Sequence, residues 1–166
     1  ASHLARHSDA HHDILAQVLP PEKLSTILKY GSPTARSKCC NFIGNRCRHS
    51  ARFYTTLAAT VTLQQGTKST IASLVVGCCS DSDPSTRKFA CFAIGNAAFH
   101  NPSLYKLLAP AIKPLTIALQ DVDDKTRANA AGALGNLARN GGDLAKFIAK
   151  EAVPRALLEL ILNYNA

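Results

Sequence analysis

The chain predicts an all-α fold, an α-solenoid of about three stacked repeats with partial units at both ends. Three observations predict it. A ten-residue stretch occurs three times, as RSKCCNFIGN at 36–45, RKFACFAIGN at 87–96 and RANAAGALGN at 127–136. Each copy opens on an Arg and closes on an aliphatic-Gly-Asn triplet, with a small-residue pair between them (Cys39-Cys40, Ala90-Cys91, Ala130-Ala131). Each also follows a turn: Ser32-Pro33, Asp83-Pro84 and Asp123-Asp124. A local pattern returning every 40–50 residues marks supersecondary units that bury their apolar faces by stacking.

The elements follow in order. Residues 1–21 read as a partial leading helix with Ile14, Leu15, Val18 and Leu19 on one edge, ended by Pro20-Pro21. The first repeat spans 22–67. It holds a short helix carrying Leu24, Ile27 and Leu28, then a long helix from Pro33 to about His49. A further helix from about Ala51 carries Phe53, Tyr54, Leu57, Ala58 and Val61, and 64–67 is a loop. The second repeat, 68–110, sets Ile71, Leu74, Val75 and Cys78 on one stripe. A turn at 80–84 is rich in helix-capping residues, and a long helix follows to about Phe99. The third, 111–151, repeats this with Ile112, Leu115, Ile117 and Leu119, a turn at 121–124 and a long helix to about Asn140. Residues 152–166 start a fourth unit through Val153, Leu157, Leu158, Leu160 and Ile161, leaving one apolar face uncapped. The Gly-Asn spacing is 51 residues, then 40, so the first interval carries extra residues between about Ala58 and Thr70, as a longer helix or an inserted loop.

Composition narrows the function. No window approaches a membrane span, and the N-terminus lacks the apolar run of a signal peptide. It also lacks an initiator Met, which reads as an excised fragment. The six Cys include two adjacent pairs, which suit neither a disulfide framework nor CxxC metal spacing. Several align with Ala in other copies, so they read as small packing residues of an intracellular, cytoplasmic protein. His3, His7, His11 and His12 lie at helical spacing, but nothing completes a metal site, so no metal or other cofactor is expected. There is no Gly-rich phosphate loop, nucleophile elbow or kinase motif, and this region is not expected to be an enzyme.

Net charge is +8 and uneven: residues 1–52 hold eight Lys/Arg against three Asp/Glu. The N-terminal excess includes Arg46, Arg48 and Arg52 and suits an acidic partner surface; a solvated basic face is the bland alternative.

The repeated residue types have physical reasons. Gly mid-helix costs up to about 1 kcal/mol relative to Ala, so three such positions need close helix approach. Arg36, Arg87 and Arg127 open the long helices, where the acidic turns offer inter-repeat ion pairs. Tyr54, Tyr105 and Phe147 recur as core anchors. Asn45, Asn96 and Asn136 fall in a column, with Asn41, Phe92 and Gly132 one turn before and Arg48, Phe99 and Arg139 one turn after. Asn amides at repeat spacing can pair with the backbone of an extended peptide; equally, each can bond a neighbouring helix.

The pattern turn–Arg-x-x-Ala-x-x-x-Leu-Gly-Asn resembles the third helix of armadillo repeats over residues 22–162, which implies a right-handed solenoid of about three armadillo-like repeats. In peptide-binding armadillo proteins that helix supplies an Asn to the ligand backbone, matched here by Asn45, Asn96 and Asn136. The family's Trp positions hold Asn41, Phe92 and Gly132, so the aromatic ladder is reduced to Phe92. The runs at 36–57 and 83–160, above all FAIGNAAF at 92–99 and ALGN at 133–136, resemble the C-terminal armadillo-type region of Fused-family serine/threonine kinases. That resemblance implies a parent with an N-terminal kinase domain. It further implies a scaffold for kinesin-like partners in ciliary central-pair assembly, Hedgehog signalling or cytokinesis, in the cytoplasm or the cilium and axoneme.

The expected partner-binding residues are Asn41, Asn45, Arg46, Arg48, Arg52, Phe92, Asn96, Asn136 and Arg139. The expected partner is a protein, either a kinesin-like protein or an acidic extended segment. A nucleic-acid-binding solenoid and an assembly or dimerisation module are the rival readings.

Overall fold

The computed structural model describes residues 17–48, 51–100, 102–139, 142–150 and 152–164. The leading helix expected over 1–21, with His3, His7, His11 and His12, lies largely outside them.

Helix α1 (Pro21–Tyr30) precedes α2 (Pro33–Cys47), the first long helix. A 3-10 turn at Ala51–Phe53 leads into α3 (Tyr54–Ala58). Strands β1 (Thr60–Thr62) and β2 (Lys68–Thr70) come next, then α4 (Ile71–Cys78) and the second long helix, α5 (Pro84–Ala97). Short α6 (Tyr105–Leu108) and α7 (Ile112–Ala118) lead to the third, α8 (Asp124–Arg139), followed by α9 (Asp143–Lys150) and α10 (Val153–Tyr164). Helices α2, α5 and α8 stack side by side in one layer, and the short helices cover it from the other side. The core lies between the layers. Ile43, Ile94 and Leu134, equivalent residues of the three long helices, are fully buried there.

The long helices start where the turns dictate. Ser32 caps α2 by accepting the Ala35 amide at 3.3 Å, with Pro33 at the first helical position. Asp83 caps α5 by accepting the Thr86 amide at 2.8 Å, and Asp123 does the same for Thr126 at 2.8 Å. Two residues earlier, Asp81 and Asp121 fold back onto the amides of Asp83 and Asp123 at 2.9 and 3.0 Å. The Asp-x-Asp turn is therefore one device used twice.

The extra residues of the first interval are neither a longer helix nor a simple loop. They form an antiparallel hairpin, with Thr60 opposite Thr70, Val61 opposite Ser69 and Thr62 opposite Lys68. Helix α3 stops at Ala58, and Val61 reaches the core from a strand. The β-branched run 60–62 resists a helix, and Gly66 turns the chain at φ 76°.

The glycines justify themselves unevenly. A methyl at Gly44 would run into the Phe92 ring and lie 3.2 Å from Ala93 Cα. At Gly95 it would meet Ala133 at 3.5 Å. At Gly135 it would touch nothing within 4 Å, so close approach does not explain the third copy. Tyr54 and Tyr105 are buried anchors, but Phe147 is 49% exposed and is not one. Ile117, expected on a packed face, is 65% exposed. The α10 face bearing Leu158, Ile161 and Leu162 is likewise open.

Candidate functional site

A groove of about 440 Å³ crosses the layer of long helices diagonally. Helix α2 contributes Asn41 and Asn45 from its second half and Arg48 from its C-cap; α5 contributes Lys88, Phe89 and Phe92 from its first half. Helix α8 contributes Lys125, Ala128 and Asn129 from its first turns. All three repeats thus supply one site. Its walls carry three cations, three amides and two aromatic rings, and no carboxylate.

The lining is organised by contacts within the fold. The Lys88 ammonium sits 5.3 Å over the Phe89 ring. It also lies close enough to Asp123 to help hold that carboxyl below its ordinary range, after the larger effect of the Thr126 hydroxyl. The Asn129 amide donates to the Lys88 carbonyl at 3.1 Å, fastening α8 to α5. Arg48 and Lys125 are exposed at opposite ends of the groove.

The structure brings together four of the residues expected from sequence: Asn41, Asn45, Arg48 and Phe92. The Asn column itself is spent in two ways. Asn96 donates to the Gly44 carbonyl at 3.0 Å, and Asn136 to the Gly95 carbonyl at 2.9 Å. Each amide thereby bridges to the preceding unit and retains one N–H and its oxygen. Asn45 has no long helix before α2 among the described residues. It turns onto Asn41 instead, donating to the backbone and side-chain oxygens at 2.9 and 2.8 Å, and is 4% exposed.

Arg46 does not belong to a basic surface. It is 4% exposed, with its guanidinium 5.2 Å over the Phe53 ring. The reason is register: it occupies the position after the repeat Asn, filled by buried Ala97 and Leu137 in the other copies. Arg52 is exposed on the 3-10 turn, away from the groove lining. Arg139 stacks 4.6 Å over Phe99 and donates to the Phe99 carbonyl at 3.1 Å, also away from that lining.

Lys88, Phe89, Lys125, Ala128 and Asn129 were not foreseen. They continue the Asn column by steps of three and four toward the helix N-termini. The Asn column and its neighbours one turn away end at Asn41, Phe92 and Gly132, whereas the groove runs a further turn toward the N-termini of α5 and α8.

The Arg positions are structural. Arg36 grips Asp81 at 2.7 Å and Arg87 grips Asp121 at 2.6 Å, each reaching into the turn of the next unit. Arg127 breaks the series and pairs with Asp124 of its own turn. Among the described residues no group of three or more His, Cys, Asp or Glu is arranged to hold a metal ion. No helix among them is long and apolar enough to cross a membrane.

Comparison with known proteins agrees with this architecture. A HEAT-like repeat matches residues 84–137. No curated protein sequence matches the chain. An engineered protein superposes with a TM-score of 0.79 at 17% identity, over 95% of this chain and 62% of that one. A designed armadillo repeat protein in complex with the peptide (KR)4 gives 0.78 at 19% identity, over 95% of this chain and 63% of that one. A computationally designed armadillo repeat protein for modular peptide recognition gives 0.78 at 21%, with 95% and 63% covered. The fold is a right-handed armadillo-type α-solenoid. The chain spans a little over 60% of the length of these structures.

Proposed function

We propose that this chain is a non-catalytic, protein-binding scaffold whose groove across α2, α5 and α8 holds an extended acidic segment. The observation that carries this reading is the groove lining: Arg48, Lys88 and Lys125 come from three successive long helices with no carboxylate among them. Phe89 and Phe92 offer apolar contact between the charges, and the amides of Asn41 and Asn129 offer polar contact to an extended backbone. The designed armadillo protein in complex with (KR)4 takes a cationic peptide. The lining here is itself cationic, so an acidic rather than a basic peptide complements it.

Fluorescence anisotropy with a labelled Glu/Asp-rich peptide and a labelled Lys/Arg-rich peptide tests this. The acidic peptide binds and the basic one does not. Lys88→Glu with Lys125→Glu removes the binding while circular dichroism stays unchanged. Equal binding of both peptides, or no loss in the double variant, overturns the reading. Single-stranded RNA in the same assay separates the nucleic-acid alternative, which would give tight binding that falls steeply with salt.

The resemblance to the C-terminal region of Fused-family kinases supplies a finer reading. On it, the chain is the docking region of a larger kinase, its partner a kinesin-like protein, and its setting the cytoplasm or the cilium. Affinity capture of the partner with the intact chain and with the Lys88→Glu, Lys125→Glu variant checks it. A kinesin-like protein held by the first and lost by the second supports this reading; its absence from both rejects it.

A further inference from the structure

The three long helices are joined by one set of contacts, used twice. Arg36 of α2 grips Asp81 ahead of α5 at 2.7 Å, and Arg87 of α5 grips Asp121 ahead of α8 at 2.6 Å. Further along, the Asn96 amide donates to the Gly44 carbonyl at 3.0 Å, and the Asn136 amide to the Gly95 carbonyl at 2.9 Å. Between these points Ala93 lies against Gly44 and Ala133 against Gly95. Both α5 and α8 therefore arrive with an Asp in the turn, an Ala twelve residues on and an Asn three residues after that.

Each long helix also carries a receiving half. On α2 it is Arg36 with Cys40, Gly44 and Cys47; on α5 it is Arg87 with Cys91, Gly95 and Ala98. All six small residues are buried. The equivalent positions on α8 are Arg127, Ala131, Gly135 and Ala138. There Gly135 is exposed, Ala131 and Ala138 are half-buried, and a methyl at Gly135 would meet nothing within 4 Å. Arg127 pairs at 2.5 Å with Asp124 of its own turn, whose side chain is 87% exposed, whereas Asp81 and Asp121 are 11% and 6% exposed in their joints. Helix α8 thus presents, open among the described residues, the receiving half of an interface the chain has already built twice. Arg127 and Gly135 stand outside the groove lining.

We propose that the outer face of α8 is a docking site for a partner helix of the repeat's own chemistry, stacked parallel to α8. The partner brings an Asp in the turn ahead of its helix, an Ala twelve residues on and an Asn three residues later. Its Asp takes the Arg127 guanidinium from Asp124, an exchange that costs little because an exposed ion pair contributes little. Its Ala lies against Gly135, where the missing side chain lets the two backbones approach. Its Asn donates to the Gly135 carbonyl. The first long helix of a second copy does not meet these requirements. Tyr30 stands three residues before Pro33, the place that Asp81 and Asp121 hold before Pro84 and Asp124, and Asn45 is already bonded to Asn41.

The probe is a fluorescent peptide of residues 120–139, which carries Asp121, Ala133 and Asn136 and has equal numbers of acidic and basic side chains. A staple between positions 131 and 135, on the side away from the contact, keeps it helical. Added to the full 166-residue chain, it binds saturably by anisotropy. Ala133→Phe in the peptide abolishes binding, and so does Gly135→Phe in the chain. Asp121→Lys in the peptide weakens binding by about tenfold, and Arg127→Asp in the chain restores it. Lys88→Glu with Lys125→Glu in the chain leaves the affinity within about twofold, which separates this face from the groove. Circular dichroism monitors the chain variants, and the peptide variants decide alone if Gly135→Phe fails to fold. No binding of the stapled peptide overturns the proposal, as does binding that survives Ala133→Phe. A chain that dimerises by itself in sedimentation, and becomes monomeric in Gly135→Phe, overturns it in favour of a second copy.

Discussion

Arg36 and Asp81 bind across the boundary of two repeats through two parallel hydrogen bonds, Nε to Oδ2 at 2.7 Å and Nη2 to Oδ1 at 2.8 Å. The same guanidinium donates to the Gly31 carbonyl of its own turn at 2.7 Å. Arg87 repeats this arrangement with Asp121 and the Asp81 carbonyl. Each Arg therefore closes its own turn and clamps the next, which makes the pair a joint between units. Two-point geometry of this kind is stronger than an ordinary surface ion pair.

Removing the joint has a directional cost. Arg36→Ala leaves a largely buried carboxylate without its partner, and we expect a loss of about 2 kcal/mol in urea denaturation. In a double-mutant cycle with Asp81→Asn the losses are not additive. An additive cycle would show that the joint contributes no coupling.

Acid should open the same joints. The Arg36 guanidinium holds the Asp81 carboxyl below its ordinary range, and Arg87 does so for Asp121. A carboxylate depressed in the folded state contributes stability that is fully present above its unfolded pKa of about 3.9. That contribution is lost as the pH falls through the lower folded value. Stability is therefore flat with respect to these groups near neutrality and declines below about pH 4. Urea midpoints measured from pH 6 to 2.5 check this, and Arg36→Ala should decline less steeply than the wild type over that range.

The repeated glycines separate two causes that their sequence context does not. Gly44→Ala places a methyl against the Phe92 ring and the Ala93 backbone. We expect it to cost about 1–3 kcal/mol through overpacking. Gly135→Ala enters open space and gains helix propensity, so it stabilises by up to about 1 kcal/mol. Thermal or urea unfolding of the two variants reads the difference, and equal effects would remove the packing explanation.

The repeat, its turns and its Arg pairs were legible because they depend on local chemistry: caps, helix periodicity and acidic turns beside basic helix starts. The hairpin was not. Val61 follows Tyr54, Leu57 and Ala58 at helical spacing, so periodicity favoured a helix, while the β-branched neighbours and Gly66 decided for strands. The groove was half legible. Asn41, Asn45, Arg48 and Phe92 follow from the Asn column, but Lys88 and Lys125 enter because the groove crosses the three helices at different heights, which is a relation between helices. For Arg46, charge points to the surface and register to the core, and register prevails, as Ala97 and Leu137 at the same position show.

Arg46 and Arg48 therefore offer a sharp separation of packing from binding. They stand two residues apart, but Arg46 lies under the fold against Phe53 and Arg48 is exposed at the end of the groove. Arg46→Ala deletes a buried stem and a cation–π contact, and should cost about 2 kcal/mol or more in urea denaturation. Under native conditions its affinity for the acidic peptide should stay within about twofold of the wild type, a change of about 0.4 kcal/mol. Arg48→Ala should do the reverse, with an unchanged urea midpoint and an affinity lower by about fivefold, or about 1 kcal/mol. Because Arg48 is solvent-exposed, the wild type's advantage over the variant should shrink as salt rises from about 50 to 300 mM. A loss of peptide affinity in Arg46→Ala with its fold intact would return that residue to the binding surface, and an unaffected Arg48→Ala would move the groove's contact to Lys88 and Lys125 alone.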